Sequence, residues 1–344
     1  TFSTGGTFAN KLNSPKYLKK MTSKSFLYSI LVSILALVSA EYESVDYMKR
    51  EHSLTKPYGA GMNVPYWDFL GHTMVTNNYV RLTPDAQSKS GSLWNQVPCM
   101  TKNWEMQVSF KIHGHGKDLF GDGMAIWYAR DRMISGPVFG SRDYFSGLSI
   151  ILDTYSNHNG PHNHQHPYLS AMVNNGSLHY DHDRDGTHTQ LAGCEAKFRN
   201  VEYETIITIR YENDVLTVLT DLENKREWKE CFTVKGVLLP TGYYFGVSAT
   251  TGDLSDNHDI ISLRFYELDL VADPQVSLER RQIIPQALTF EPPRERSEDK
   301  KPSGWSNVKI FFVILFGMMV AVACAIGGIM YYQKHKENSK KRFY

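Results

Sequence analysis

The sequence is short of the features that mark several large functional classes. Charge of one sign is missing: 37 Lys and Arg stand against 36 Asp and Glu, for a formal net charge of +1. Such a balance gives no global reason to expect nucleic acid as a partner. Cysteine is scarce, with four in 344 residues, at 99, 194, 231 and 324. No long stretch has an apolar helical period, which argues against a helical fold. A nucleophile elbow, a phosphate-binding Walker loop and a zincin motif are all absent, as is the D-x-D-x-D-G…E spacing of an EF-hand. The one E-x-D pair on a plausible strand is Glu267 with Asp269, at the end of the folded region. A glycoside hydrolase on a sandwich fold would need two carboxylates flanking the scissile bond. This pair is a poor candidate, so no enzymatic activity is expected.

Two apolar runs stand outside the fold. After Met21 and Lys24 comes Phe26 to Val38, closed by Val38-Ser39-Ala40. This reads as a signal peptide over 21–40, cleaved after Ala40, with 1–20 as an upstream segment. The second run, Ile310 to Tyr332, has no charged residue and is long enough to cross a bilayer. Trp305 and Tyr331-Tyr332 sit where interfacial aromatics belong, and Lys334, Lys336, Lys340, Lys341 and Arg342 follow. The expectation is a single transmembrane helix over 308–332. Residues 333–344 would be a cytoplasmic tail and everything before the helix would be lumenal. In that oxidising compartment Cys194 and Cys231 are the best pair, with Cys99 left as a buried thiol, although spacing alone does not fix the pairing. Asn175-Gly176-Ser177 is an N-glycosylation sequon.

Between residues 44 and 270 the pattern is that of many short strands. Trp104, Met106, Val108, Phe110 and Ile112 alternate with Glu105, Gln107, Ser109 and Lys111, one face buried and one wet. Similar runs occur at 148–152, 169–173, 205–211, 215–220, 243–249 and 260–265, separated by turn clusters. Regular strands with turn punctuation predict an all-β, two-sheet sandwich. From 271 to 307 prolines alternate with charges, as expected of a lumenal stalk. A short helix over 275–286 is the one weak helical signal there.

Four loops carry candidate chemistry. Leu152-Asp153-Thr154-Tyr155-Ser156-Asn157 puts a carboxylate and an amide at the end of an apolar strand, and Tyr180 to Gly186 adds Asp181, His182, Asp183 and Asp185. Carboxylate, amide and carbonyl oxygens are the donors Ca²⁺ takes, though Asx-rich loops also simply make turns. Gly121-Asp122-Gly123 and Gly252-Asp253-Leu254 pair an acceptor with a backbone that a ligand can approach closely. His158, His162, His164 and His166 follow the first loop. Zinc is one reading; a solvated, variable insertion is the reading preferred.

The stretches GDGMAIWYARDR, LDTYSN, VNNGSLHYDHDRDG and LPTGYYFGVSATTGDLSDNHDI resemble the animal leguminous-type (L-type) lectins of the secretory pathway. The resemblance runs from about Tyr47 to the C-terminus. It implies a concanavalin-like jelly-roll carbohydrate-recognition domain over 44–270. It implies Ca²⁺ held by Asp153, the Tyr155 carbonyl, Asn157 and Asp185, and a disulfide between Cys194 and Cys231. It implies high-mannose N-glycans of cargo glycoproteins bound through Ser88, Asp122, Asn157, His182, Gly252, Asp253 and Leu254. The tail Lys340-Lys341-Arg342 resembles a basic retention signal, and Phe343-Tyr344 resembles an export signal read by vesicle coat components. A sorting lectin or cargo receptor of the endoplasmic reticulum, the intermediate compartment and the Golgi membrane is therefore expected. A regulator of glycoprotein export or quality control that works mainly through protein partners is the alternative.

Overall fold

In a computed structural model, the described residues are 48–59, 64–157, 165–269, 274–288 and a helix over 307–340. Two antiparallel seven-stranded sheets dominate them. The first runs β1 (Trp67–Gly71), β4 (Ser90–Asn95), β14 (Tyr244–Thr250), β6 (Gly123–Ala129), β7 (Ser146–Asp153), β8 (Tyr168–Asn175), β9 (Ala192–Glu195). The second runs β12 (Lys229–Lys235), β11 (Val215–Asp221), β10 (Thr205–Glu212), β5 (Trp104–His113), β15 (Asn257–Glu267), β3 (Val80–Thr83), β2 (Met74–Val75). Strands adjacent in space are often far apart in sequence, which is the crossed connectivity of a jelly roll.

The main core lies between the sheets. Met124, Ile126 and Tyr128 of β6 meet Val108 and Phe110 of β5 and Leu263 and Phe265 of β15. A second apolar cluster covers the outer face of the first sheet, where Trp94, Trp127, Phe139, Phe145 and Tyr180 pack together. The middle of that sheet is therefore buried on both sides, and β6 and β7 are buried along their whole lengths. Strands covered on both faces lose the polar alternation of a half-exposed sheet.

The disulfide joins Cys194 on β9 to Cys231 on β12. These are edge strands of different sheets, so the bond staples one side of the sandwich. Cys99 is fully buried, and desolvation pushes its thiol up to about 12.

Three sequence expectations need correction. The wet face of β5 is not uniformly wet: Glu105 is 0% exposed, accepts from Gln107 at 2.8 Å and lies 3.6 Å from Arg210. The expected stalk does not begin at 271. A helix, α1 (Pro274–Arg280), and β16 (Gln286–Ala287) dock on the sandwich, the latter pairing with β13 (Val237–Leu238). Arg280 donates to Asp214 at 2.6 Å and to the Tyr211 hydroxyl at 2.8 Å. The helical part also stops at Arg280 rather than reaching 286. The C-terminal helix, α2, covers Asn307–Lys340 and so includes the span expected over 308–332. Its segment Leu315–Gln333 has mean hydropathy 1.9 and no burial, long and apolar enough to cross a membrane. The expected signal peptide and residues 341–344 of the tail lie outside the described residues.

Candidate functional site

Five strands of the first sheet end in one row. Ser90 pairs with Thr250, Thr250 with Gly123, Gly123 with Asp153, and Asp153 with Tyr168. The residues just past these ends therefore share one rim, whatever their distance in sequence. Backbone bonds lace the rim together. The Ser88 N–H donates to the Gly252 carbonyl at 3.0 Å, and the Thr251 N–H to the Lys89 carbonyl at 2.8 Å. The Thr154 N–H donates to the Asp122 carbonyl at 3.0 Å. Gly123 sits at φ +146, and a Cβ there would lie 3.0 Å from the Phe139 ring. Glycine is thus required where β6 leaves the loop carrying Asp122.

One half of the rim is an acceptor with open space before it. Asp122 is half-buried. Desolvation, with added repulsion from Asp153 and Asp253, pushes its carboxyl up to about 6. A Cβ on Gly252 would stand 3.3 Å from both Asp122 oxygens, so the absent side chain is what keeps that carboxylate accessible. Tyr155 and Leu254 flank Gly121, 3.2 and 3.6 Å from where its Cβ would be. Ser88 adopts φ 54 on the neighbouring loop. Gln87, which the sequence did not single out, donates to the Asp253 carbonyl at 2.8 Å. Ser88, Asp122, Gly252, Asp253 and Leu254 are thus brought to one place.

The other half gathers buried acids. Asp153 and Asp185 are 6% and 4% exposed. Asp185 closes a single 3₁₀ turn (His182–Arg184) in the left-handed region, φ 50. Backbone ties position both: the Tyr155 N–H donates to Asp153 at 3.1 Å, and the Asn157 N–H to Asp185 at 2.8 Å. Burial pushes the Asp153 carboxyl above its ordinary range, partly offset by His166. One donor atom each from Asp153, His166 and Asp185 lies within 4.8 Å of the others. Two oxygens on one Ca²⁺ at 2.3–2.6 Å can be up to about 5 Å apart, so this spacing suits the ion. The Tyr180 hydroxyl, buried in the field of these carboxylates, makes no hydrogen bond among the described residues. Two buried acids, an orphaned hydroxyl and the oxygens of the 155–157 turn form a donor set that fits a hard divalent cation.

His166 corrects the reading of the histidine loop as a solvated insertion. Its side chain is 5% exposed and stands 3.7 Å from Asp153. His158, His162 and His164 lie outside the described residues. His182 packs against Phe139 and Tyr180, with ring centroids 5.3 and 4.7 Å away. Its Nε2–H donates to the Pro137 carbonyl at 3.0 Å, leaving Nδ1 as the acceptor of the neutral ring. Asn157 is exposed beside Asp185. Asn175 is exposed at the end of β8 away from the rim and accepts from the Ser177 hydroxyl at 2.6 Å. Glu267 and Asp269 sit at the far end of β15. Glu267 pairs with Lys49 at 2.7 Å, and Asp269 accepts from Asn103 at 2.8 Å. Both acids are held by structural partners.

The family model described as the legume-like lectin family matches residues 45–274. The human vesicular integral-membrane protein VIP36 is 48% identical over 334 residues, 94% of this chain and 92% of that protein. The mouse VIP36-like protein is 49% identical over 306 residues, 88% and 87% of the two chains. The crystal structure of the VIP36 exoplasmic/lumenal domain in its Ca²⁺/Man2-bound form aligns with TM-score 0.67 at 55% identity, covering 72% of this chain and 100% of that one. The same domain is known in Ca²⁺-bound and metal-free forms.

Proposed function

This chain belongs to the legume-like lectin family, and from that premise we propose that it is a Ca²⁺-dependent lectin that binds mannose-type N-glycans on glycoproteins in transit. The observation that carries the reading is the rim itself: an open Asp122 carboxylate under Gly252, beside the buried Asp153–Asp185 pair. The VIP36 domain, with Ca²⁺ and mannose ligands bound, supports it.

Asp153, the Tyr155 carbonyl, Asn157 and Asp185 would hold the cation. Bound there, Ca²⁺ supplies positive charge to two buried acids and ties the 153–157 turn to the 182–185 turn. The protein's own groups do the recognition. Mannose is neutral, so affinity must come from several short hydrogen bonds at fixed angles. Asp122 accepts from sugar hydroxyls. The amides of Gly252 to Leu254 donate, and the Asp253 carboxylate, Asn157, His182 and Ser88 offer further contacts. The side-chain contacts within this loop set order it before the sugar arrives, which lowers the entropy spent on binding. A shallow rim of this kind gives weak single-site affinity, raised by branched or clustered glycans.

The C-terminal helix anchors this domain to a membrane. Lys340-Lys341-Arg342 and Phe343-Tyr344 would engage vesicle coat components, and the role proposed is that of a sorting lectin, without enzymatic activity, moving between the endoplasmic reticulum and the Golgi. A glycan array run in CaCl₂ and again in EDTA tests the binding claim. High-mannose signals present only with the ion are expected, and signals indifferent to chelation would reject it.

A further inference from the structure

The two loops that face each other across the proposed sugar site leave neighbouring strands, where Gly123 pairs with Thr250 and the Asp122 N–H donates to the Thr250 carbonyl at 3.3 Å. Phe120-Gly121-Asp122 belongs to the connection between β5 and β6, and Gly252 to Leu254 to that between β14 and β15. Beyond those strand ends, a side chain from a third segment joins the loops as well. Arg199 follows β9, and its Nε and Nη2 donate to the two oxygens of Asp256, both at 2.7 Å. Its Nη2 also donates to the Gly116 carbonyl at 2.8 Å. The guanidinium lies over the Phe120 ring, 3.7 Å from its centroid. Asp256 is 0% exposed and two residues from Leu254; Phe120 is two residues from Asp122. One planar cation thus grips both walls in a geometry that a lysine cannot reproduce.

Neighbouring contacts show a built assembly rather than a chance ion pair. The Asn200 backbone N–H donates to the Ile112 carbonyl at 2.9 Å, and the Asn200 side chain brackets Gly114 with bonds of 3.0 and 3.2 Å. A Cβ on Gly114 would collide with the Asp256 carboxylate and come within 3.2 Å of Asp85. Asp85 accepts from the Ser255 hydroxyl at 2.6 Å and the His115 N–H at 2.9 Å, tying in the loop that carries Ser88. None of these groups belongs to the candidate cation site.

We propose that Arg199 is a positioning residue for glycan binding, setting the gap between Asp122 and the Gly252–Leu254 backbone through Asp256, Gly116 and Phe120. This rests on the lectin reading above. An ordinary structural ion pair would affect sugar affinity only by destabilising the domain; a positioning residue affects it even when stability is restored.

The test uses the full chain in detergent. It measures mannobiose affinity in saturating CaCl₂, Ca²⁺ affinity, the thermal midpoint, and amide hydrogen exchange of the rim loops. For Arg199→Lys, mannobiose affinity should fall roughly tenfold, the scale of one displaced charge-assisted hydrogen bond, while Ca²⁺ affinity is retained. Arg199→Met leaves Asp256 buried and unpaired and should lower the midpoint. Adding Asp256→Asn removes that charge and should recover the midpoint without recovering sugar affinity. Exchange should quicken at Phe120–Asp122 and Gly252–Leu254 but not at Asp153–Asn157. Sugar affinity that returns together with the midpoint, or that is unchanged in Arg199→Lys, overturns the proposal. If the wild type binds no mannobiose, the lectin reading fails instead. Exchange confined to wild-type rates in the variants would then overturn the clamp by itself.

Discussion

Replacing Asp153 by Asn should change stability in opposite directions according to whether Ca²⁺ is present. Without the ion, the Asp153 and Asp185 carboxylates lie within 4.8 Å, both nearly excluded from water. At an effective dielectric constant near 20, two such charges repel by about 3 kcal/mol. His166, 3.7 Å from Asp153, relieves part of this when protonated. Asparagine has the same shape and no charge, so the chelated variant should be more stable than wild type by roughly 1–2 kcal/mol, or several degrees in thermal midpoint for a domain of this size. With Ca²⁺ at a hundred times its dissociation constant, wild type gains about 2.7 kcal/mol, and the variant, lacking a charged ligand, gains little. The sign with pH follows. Asp153 is raised in the folded, ion-free protein, so the fold binds more protons than the unfolded chain. Ion-free stability should therefore fall as pH rises from the ordinary carboxylate value towards the raised one, and Asp153→Asn should flatten that slope. Differential scanning fluorimetry in EDTA and in CaCl₂ gives all four midpoints. An Asn variant less stable than wild type in EDTA, or one still stabilised by Ca²⁺, would refute the reasoning.

Gly252→Ala places a methyl group 3.3 Å from both Asp122 oxygens. Mannobiose affinity should drop by about tenfold or more as a hydroxyl loses its place, with Ca²⁺ affinity kept; calorimetric titration of both ligands checks this, and equal losses would count against it. Glycan binding should weaken as pH falls through about 6, where Asp122 takes up a proton in the ion-free protein, and bound Ca²⁺ should move the midpoint lower. A response flat between pH 7.5 and 5 would exclude Asp122 as a titrating contact. Replacing Cys194 and Cys231 by Ser frees a link across a 37-residue separation. The expected cost is about 3–4 kcal/mol, seen in urea unfolding; a cost under about 1 kcal/mol would mean the staple constrains little.

The strands were legible wherever an apolar residue recurred at every second position, as along Trp104 to Ile112. The same rule was silent on the outer cluster, because Ala125, Trp127 and Ile151 are apolar on a face that a lone sheet would expose. Only the covering loops, with Val138, Phe139, Phe145 and Tyr180, explain it. Asp122, Asp153, Asp185 and Gly252 stood out through local motif, since each sits in a Gly- or Asx-rich turn at a strand end. Gln87 and Arg199 did not, because their importance arises from partners 166 and 57 positions away. His166 was misplaced for a related reason. A histidine in a polar loop reads as solvated until the fold lays it against a buried acid. The docking of 274–288 was hidden by proline and charge, which look alike in a linker and in a short strap held by Arg280.

The burial of Cys99 has a consequence for how the domain matures. A disulfide across the two sheets requires oxidising surroundings, and there every thiolate is a rival for the correct partner. With its thiol pushed up to about 12 by burial, Cys99 in the folded domain is held as the unreactive thiol at neutral pH. Shielded by the sandwich as well, it neither attacks the finished bond nor tethers two copies together. Competition over pairing is confined to the interval before the sheets close, so completion of the core ends it.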